Sequence, residues 1–121
     1  SCYDIYQPRQ LRMMITLKKT DETIGMVDLF ELDPHHERGA VGILIAPDHQ
    51  RKGFGSEALQ LMCSYAFGFL HLHQLYAQIL QENKNSLKLF SQNGFISCGL
   101  LNEWIKTDNG YKNVVVMQRI N

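Results

Sequence analysis

One stretch of the chain, GAVGILIAPDHQRKGFGSEAL at residues 39–59, changes its hydrophobic period halfway along. Its first part, GAVGILIA, is an apolar run carrying Val and Ile, and Pro47 ends it because proline donates no ladder hydrogen bond. From Phe54 onward apolar residues return at Ala58, Leu59, Met62, Tyr65, Ala66 and Phe69, which is the stripe of an amphipathic helix. A strand that runs through a polar loop into such a helix needs a sheet beside it and a sheet face for the helix. The segment therefore commits the chain to an α/β fold.

The flanking segments extend the pattern. Residues 11–19 and 24–32 read as two strands joined by the polar turn TDET, and a loop DPHHER leads into the run at 39–46. After the helix, HQLYAQIL at 73–80 is a short strand. Asn83 or Asn85 caps a second helix carrying Leu87, Leu89 and Phe90, and Asn93-Gly94 stops it. FISCGLLNEWIK and YKNVVVMQRI form a final hairpin around Asn109-Gly110. The order β-β-β-α-β-α-β-β, without repeats or low-complexity linkers, describes a mixed α/β layer fold.

A chain of 121 residues accommodates one domain, and twelve Lys and Arg against twelve Asp and Glu leave no net charge. That balance lacks the basic footprint of a general nucleic-acid binder, so no nucleic-acid partner is expected. No apolar run approaches the roughly 20 residues that cross a bilayer, so no membrane partner is expected either. Three widely spaced cysteines without a CxxC pair fit a reducing, cytoplasmic setting, with Cys63 and Cys98 as buried apolar residues. The five histidines have no metal-ligand spacing: His35 and His36 are neighbours that diverge in an extended loop, and no HExxH occurs. No metal site is expected.

The chemistry concentrates at Gln50-Arg51-Lys52-Gly53-Phe54-Gly55-Ser56. The first turn of a helix offers amide N–H groups without intrahelical acceptors. Glycines there let a ligand approach the backbone, and Arg51 and Lys52 add positive charge, so the segment is suited to a pyrophosphate. The spacing fits neither GxxxxGK[ST] nor GxGxxG, since Ala58 stands where the third glycine of the latter belongs.

Together with NKNSLKLFSQNGF at 83–95, this segment resembles the GNAT superfamily of acetyl-coenzyme-A-dependent N-acetyltransferases. Gln50, Gly53 and Gly55 match the fixed positions of its Gln/Arg-x-x-Gly-x-Gly/Ala loop. Asn83, Leu89, Gly94 and Phe95 match its later Asn-x-x-Ala-x-x-Leu-Tyr-x-x-x-Gly-Phe stretch, with Ser86 in the alanine place and Phe90 in the tyrosine place. The branch of spermidine and ribosomal-protein acetyltransferases is the nearest in flavour.

The resemblance implies a three-layer α-β-α fold with a mixed, twisted and partly splayed sheet. Residues 1–121 would form a single domain lacking the family's usual first strand and first helices, and Ser1 in place of an initiator Met would fit a shortened beginning. Acetyl-coenzyme A would lie between the strands at 39–46 and 73–80 and leave as coenzyme A. The pantetheine arm would run along Ile43, Leu44 and Ile45, and the pyrophosphate would sit on the amides of Arg51 to Ser56, with Lys52 and Phe54 within that seat. Asn83 would reach the cofactor arm from the end of the second splayed strand, and Ser86 and Phe90 would also belong to the cofactor site. A backbone N–H near Leu44 would hold the thioester carbonyl as an oxyanion donor.

Glu31 and Glu103 are candidate bases for the acceptor ammonium, with Asp33, His35, His36 and Glu37 clustered near the first. The amine could be a small molecule, a polyamine or a peptide N-terminus. The alternative is a non-catalytic acyl-coenzyme-A-binding or regulatory protein, because phenylalanine at position 90 has no proton to give; a cofactor-free interaction domain is a more distant one. Phe54, Tyr65, Phe69 and Phe95 fit core periodicity, and Trp104 and Tyr111 either pack across the last hairpin or line an acceptor pocket. The missing beginning would expose apolar sheet surface, which a homodimer or larger homo-oligomer would cover.

Overall fold

The computed structural model describes residues 10–121; Cys2 and the opening residues lie outside that range. Six strands form one sheet: β1 (Leu11–Thr16), β2 (Thr23–Asp33), β3 (Arg38–Ile45), β4 (Gln74–Leu80), β5 (Ile96–Thr107) and β6 (Gly110–Ile120). Two helices, α1 (Phe54–Ser64) and α2 (Lys84–Gln92), follow β3 and β4. The spatial order is β1-β2-β3-β4-β6-β5, antiparallel everywhere except between β3 and β4. The element order matches that expected from the sequence, with boundaries shifted by a few residues.

One sheet face is continuously apolar. Val27, Leu29, Val41, Leu75, Ala77, Ile79 and Met117 bury against Leu59, Met62 and Ala66 of the helical segment after Gly53, and Phe90 and Phe95 complete the same cluster. The side chains that α1 and α2 bury thus meet on one side of the sheet. The expected third layer, over the other face, has no helix among the described residues. On that face the cross-strand row Met14, Met26, Leu44 leaves Met14 and Leu44 exposed.

Several expectations for individual side chains fail. Phe69 is 67% exposed. The Leu70 N–H donates to the Tyr65 carbonyl five residues back, so the last turn is widened. That turn carries Phe69 off the buried stripe and stacks it on Tyr65, with ring centroids 5.1 Å apart. Cys98 is exposed, as is nearly all of β5, the strand at the end of the sheet order. The rings of His35 and His36 do not diverge but meet edge-on at 4.7 Å. Trp104 and Tyr111 are both largely exposed, so neither buries its ring across the hairpin.

Candidate functional site

Strands β3 and β4 pair at only three positions, Arg38 with Gln74, Gly39 with Leu75 and Ala40 with Tyr76. Each then keeps its other neighbour: β3 stays paired with β2 as far as Ile45, and β4 stays paired with β6 as far as Leu80. The inner edges therefore diverge after Ala40 and Tyr76, in the middle of a sheet. At the open end lies a cavity of about 670 Å³ between β3, the loop before α1 and the first turns of α2.

The ladder fixes which backbone groups face this cleft. The Ala46 N–H donates to the Ile24 carbonyl at 2.7 Å, while the Glu37 carbonyl accepts from the His73 N–H at 2.7 Å. Peptide groups alternate along a strand, so even positions of β3 point to β2 and odd positions to the β4 side. The amide of Leu44 is consequently spent on β2, opposite Met26. This corrects the expectation for Leu44: the donors that face the cleft belong to Ile43 and Ile45. The Ile45 carbonyl is occupied by the Gln50 side chain, whose Nε2 donates to it at 3.0 Å. Gln50 thereby ties the loop to the strand end. Leu44 borders the cavity, while its side chain, in the row with Met26 and Met14, is 62% exposed.

The loop turns through two left-handed residues, Arg51 at φ +63° and Gly53 at φ +86°. Gly53 caps α1 without a side-chain hydrogen bond, and the first intrahelical bond runs from the Glu57 N–H to the Gly53 carbonyl at 3.1 Å. The amides of Phe54, Gly55 and Ser56 precede it and have no intrahelical acceptor. A Cβ added at Gly53 would meet no protein atom within 4 Å, so its bare surface opens toward solvent and the cavity. Gly55 has a different reason to be glycine: a Cβ there would stand 3.2 Å from Leu89 Cδ2 and 3.7 Å from Ile45 Cγ1. It lets α1 approach both α2 and β3.

Asn83 caps α2, its Oδ1 accepting the Ser86 N–H at 3.2 Å, and both residues line the cavity. Of the residues the sequence pointed to, Ile43, Leu44, Ile45, Gln50, Arg51, Gly53, Gly55, Ser56, Asn83 and Ser86 meet at this cavity. Lys52 and Phe54 do not line it. Phe90 does not either: it is 2% exposed and packs edge-on against Phe95 with ring centroids 4.9 Å apart.

Several participants escaped sequence reasoning. His49, Asn85 and Lys88 also line the cavity, and Arg51 Nη2 donates to Asn85 Oδ1 at 3.2 Å across its rim. Asn93, expected only to stop α2, is 6% exposed and joins both helices. Its Nδ2 donates to the Leu89 carbonyl at 2.8 Å and to Ser56 Oγ at 3.2 Å. The following glycine, not Asn93, takes the left-handed conformation, at φ +87°. A buried amide hub of this kind has no spacing signature, since its partners lie on separate elements.

Neither candidate base lines the cavity. Glu31 and Glu103 both sit in strand irregularities, each with φ +51°, a conformation rare for residues with long side chains. The Glu103 N–H donates to Asn113 Oδ1 at 2.8 Å on the sheet's outer hairpin. Glu31 lies nearer the point of divergence, because its neighbour Phe30 pairs with Ala40 and Ala40 pairs with Tyr76. The Tyr76 hydroxyl donates to Glu31 Oε2 at 2.7 Å. Burial, that hydrogen bond and the carboxylate charge together push the Tyr76 phenol up to about 12, so it keeps its proton at neutral pH. Asp33 is occupied by its own turn: the His36 N–H donates to it at 3.0 Å and holds its carboxyl below the ordinary range. Burial pushes the Cys63 thiol up, the reverse of what a nucleophile needs. Among the described residues no group of three or more His, Cys, Asp or Glu is arranged to hold a metal.

Residues 3–96 match the model of the acetyltransferase (GNAT) domain. A spermidine N(1)-acetyltransferase of Vibrio cholerae is 34% identical over 91 residues, which cover 75% of this chain and 53% of that protein. The ribosomal-protein-serine acetyltransferase of Escherichia coli K12 is 26% identical over 107 residues, covering 88% of this chain and 60% of its own length. Among solved structures, the V. cholerae spermidine N-acetyltransferase in complex with CoA and spermine superposes with a TM-score of 0.88 at 28% identity, covering 98% of this chain and 70% of that one. The chain spans a little over half the length of these curated relatives.

Proposed function

The chain belongs to the acetyltransferase (GNAT) domain family, and from that membership we propose that it transfers an acetyl group from acetyl-coenzyme A to a primary amine by direct attack. The observation that carries the proposal is the divergence of β3 from β4 after three paired positions, with unpaired β3 amides on one wall and the open first turn of α1 at its mouth. An extended thioester arm can pair with such an edge as an added strand. Backbone amides from Phe54 to Ser56 then seat the pyrophosphate, with Gly53 keeping the approach clear. Asn83 and Ser86 close the opposite rim.

Acetyl-coenzyme A supplies an activated acyl carbon; the protein contributes position and electrostatics. The amine nitrogen bonds to the thioester carbonyl carbon while the Ile43 N–H steadies the charge that develops on the oxygen. The C–S bond then breaks, the acylated nitrogen sheds its extra proton, and that proton, carried through solvent, reaches the thiolate, which leaves as coenzyme A. An alkyl ammonium with a pKa near 10.4 must first lose a proton. Glu31, held by the Tyr76 hydroxyl beside the point of divergence, is the proposed acceptor of that proton. Glu103, out on the hairpin, is the weaker candidate. Polyamines and peptide amines are both within the proposal, the former because of the spermidine acetyltransferase relatives.

Phe90 favours a second reading, a protein that binds acyl-coenzyme A without turning it over, because its buried ring supplies no acid for the departing thiolate. Thiol release from acetyl-coenzyme A, measured with a panel of amines, separates the two. Slow but amine-dependent release is expected; intact coenzyme A binding with no release for any amine leaves the binding role. A homodimer or larger homo-oligomer and a cytoplasmic setting belong to the same proposal. The first is supported by the exposed Met14 and Leu44 on the uncovered sheet face, the second by the free thiols of Cys63 and Cys98. Sedimentation that shows a monomer at every concentration overturns the oligomer.

A further inference from the structure

Seating an acetyl-coenzyme A pyrophosphate on α1 amides leaves two charged side chains of the cavity without a task. Arg51 and Lys88 both line it, and among the described residues no carboxylate does. In a chain whose acidic and basic residues cancel, that is a local separation of charge.

The two cations are placed by different devices. Arg51 lies in the loop before α1, in a left-handed conformation, and its hydrogen bond to Asn85 reaches the first turn of α2. That contact uses one guanidinium N–H and leaves others for a ligand. Lys88 stands three residues beyond Asn85 on α2, so the two share a helix face. The guanidinium is therefore anchored at one end of a helical turn whose other end carries an ammonium. Both residues line the same cavity as the residues that begin α1. Coenzyme A carries, besides its pyrophosphate, a 3′-phosphomonoester on the ribose, with close to two negative charges at neutral pH.

We propose that Arg51 and Lys88 form a second anion seat that takes this 3′-phosphate, so that the cavity distinguishes coenzyme A from 3′-dephospho-coenzyme A. The proposal rests on the acyl-coenzyme A reading of the same cavity. Arg51 supplies a planar, fixed donor set, and Lys88 supplies a mobile point charge. Because both side chains are exposed at the rim, salt weakens their contribution.

Calorimetric titration of the full chain with coenzyme A and with 3′-dephospho-coenzyme A tests this, at low and high salt, alongside Lys88→Ala. The native protein is expected to bind coenzyme A about tenfold more tightly at low salt, a preference that shrinks as salt rises. Lys88→Ala should remove most of that preference by weakening coenzyme A alone. Equal affinity of the native protein for both ligands overturns the second seat while leaving the coenzyme A reading intact. So does equal weakening of both ligands by Lys88→Ala, since Lys88 would then contact a part they share. Folded native protein that binds neither ligand overturns the coenzyme A reading and the seat with it.

Discussion

Replacing Gly53 separates what the loop does for the fold from what it does for a ligand. Gly53 holds φ +86°, and a Cβ there meets no protein atom within 4 Å. A side chain therefore costs backbone strain but causes no clash. For an L-residue that strain is about 1–3 kcal/mol, toward the upper end for branched valine and the lower end for asparagine. A domain of 121 residues, at about 2.1 cal/mol/K of unfolding entropy per residue, loses roughly 4 °C in Tm for each kcal/mol. Gly53→Val should thus unfold about 8–12 °C early and Gly53→Asn about 4 °C early. Both variants stay folded at room temperature, and both place atoms over the amides of the first turn. Loss of one charge-assisted hydrogen bond, about 1.5–3 kcal/mol, weakens coenzyme A binding by about 10- to 100-fold. Gln50→Ala is the control. It removes the Nε2 bond to the Ile45 carbonyl, costs about 0.5–1.5 kcal/mol of stability and leaves binding within a fewfold. Thermal unfolding and calorimetry on the same preparations provide both numbers. Folded Gly53→Val protein that binds coenzyme A with native affinity refutes the amide seat.

Phe90→Tyr places a hydroxyl on a ring that is 2% exposed; an unpartnered buried hydroxyl costs about 1–3 kcal/mol, so Tm should fall by several degrees with turnover unchanged. A turnover gain above tenfold with unchanged Tm would instead put the ring's edge in the cleft. In a Cys2→Ser background, one thiol should react quickly with a disulfide reagent and disappear in Cys98→Ser, while buried Cys63 reacts only on unfolding; two fast thiols contradict this. Tyrosinate absorbance should show a late step near pH 12 that Tyr76→Phe removes. Because the folded phenol holds its proton more tightly than the ordinary group, its contribution to stability is whole below about pH 10 and is lost as pH rises toward 12. A Tyr76→Phe protein with the same alkaline unfolding curve would contradict that coupling.

Local signals carried the fold a long way. Pro47, the apolar stripe from Ala58, the Asn83 cap and Asn109-Gly110 each act within a few residues, and each marks a boundary near where the structure has one. Glycine at 53 was readable because backbone conformation and ligand access both favour it. What remained hidden depends on register between distant segments. Glu31 and Glu103 take left-handed angles that no glutamate advertises, because strand irregularities impose them. The same holds for the Leu44 amide, whose direction follows from which positions of β2 and β3 exchange hydrogen bonds. Phe69 escaped because one widened turn displaces a residue by a large angle around the axis, and a regular 3.6-residue stripe carries no mark of it. The Arg51–Asn85 bridge spans 34 residues and was beyond any local pattern.

The early end of pairing between β3 and β4 gives this sheet four borders in place of two. Among the described residues β1 and β5 face outward, but β3 beyond Ala40 and β4 beyond Tyr76 are borders too, and they face one another inside the molecule. An unpaired strand border is a template for other chains, which folded proteins blunt with charge, proline or cover. Here α1 and α2 narrow the entry, so a single extended backbone is the shape that fits between the borders. Amide hydrogens at Ile43 and Ile45 should therefore exchange with solvent like those of an outer strand, despite their central place. Occupancy by an extended ligand would slow them and make the sheet continuous. Whatever fills the cleft acts as a seventh strand, and its departure returns the domain to a state with two more surfaces on which to misassemble.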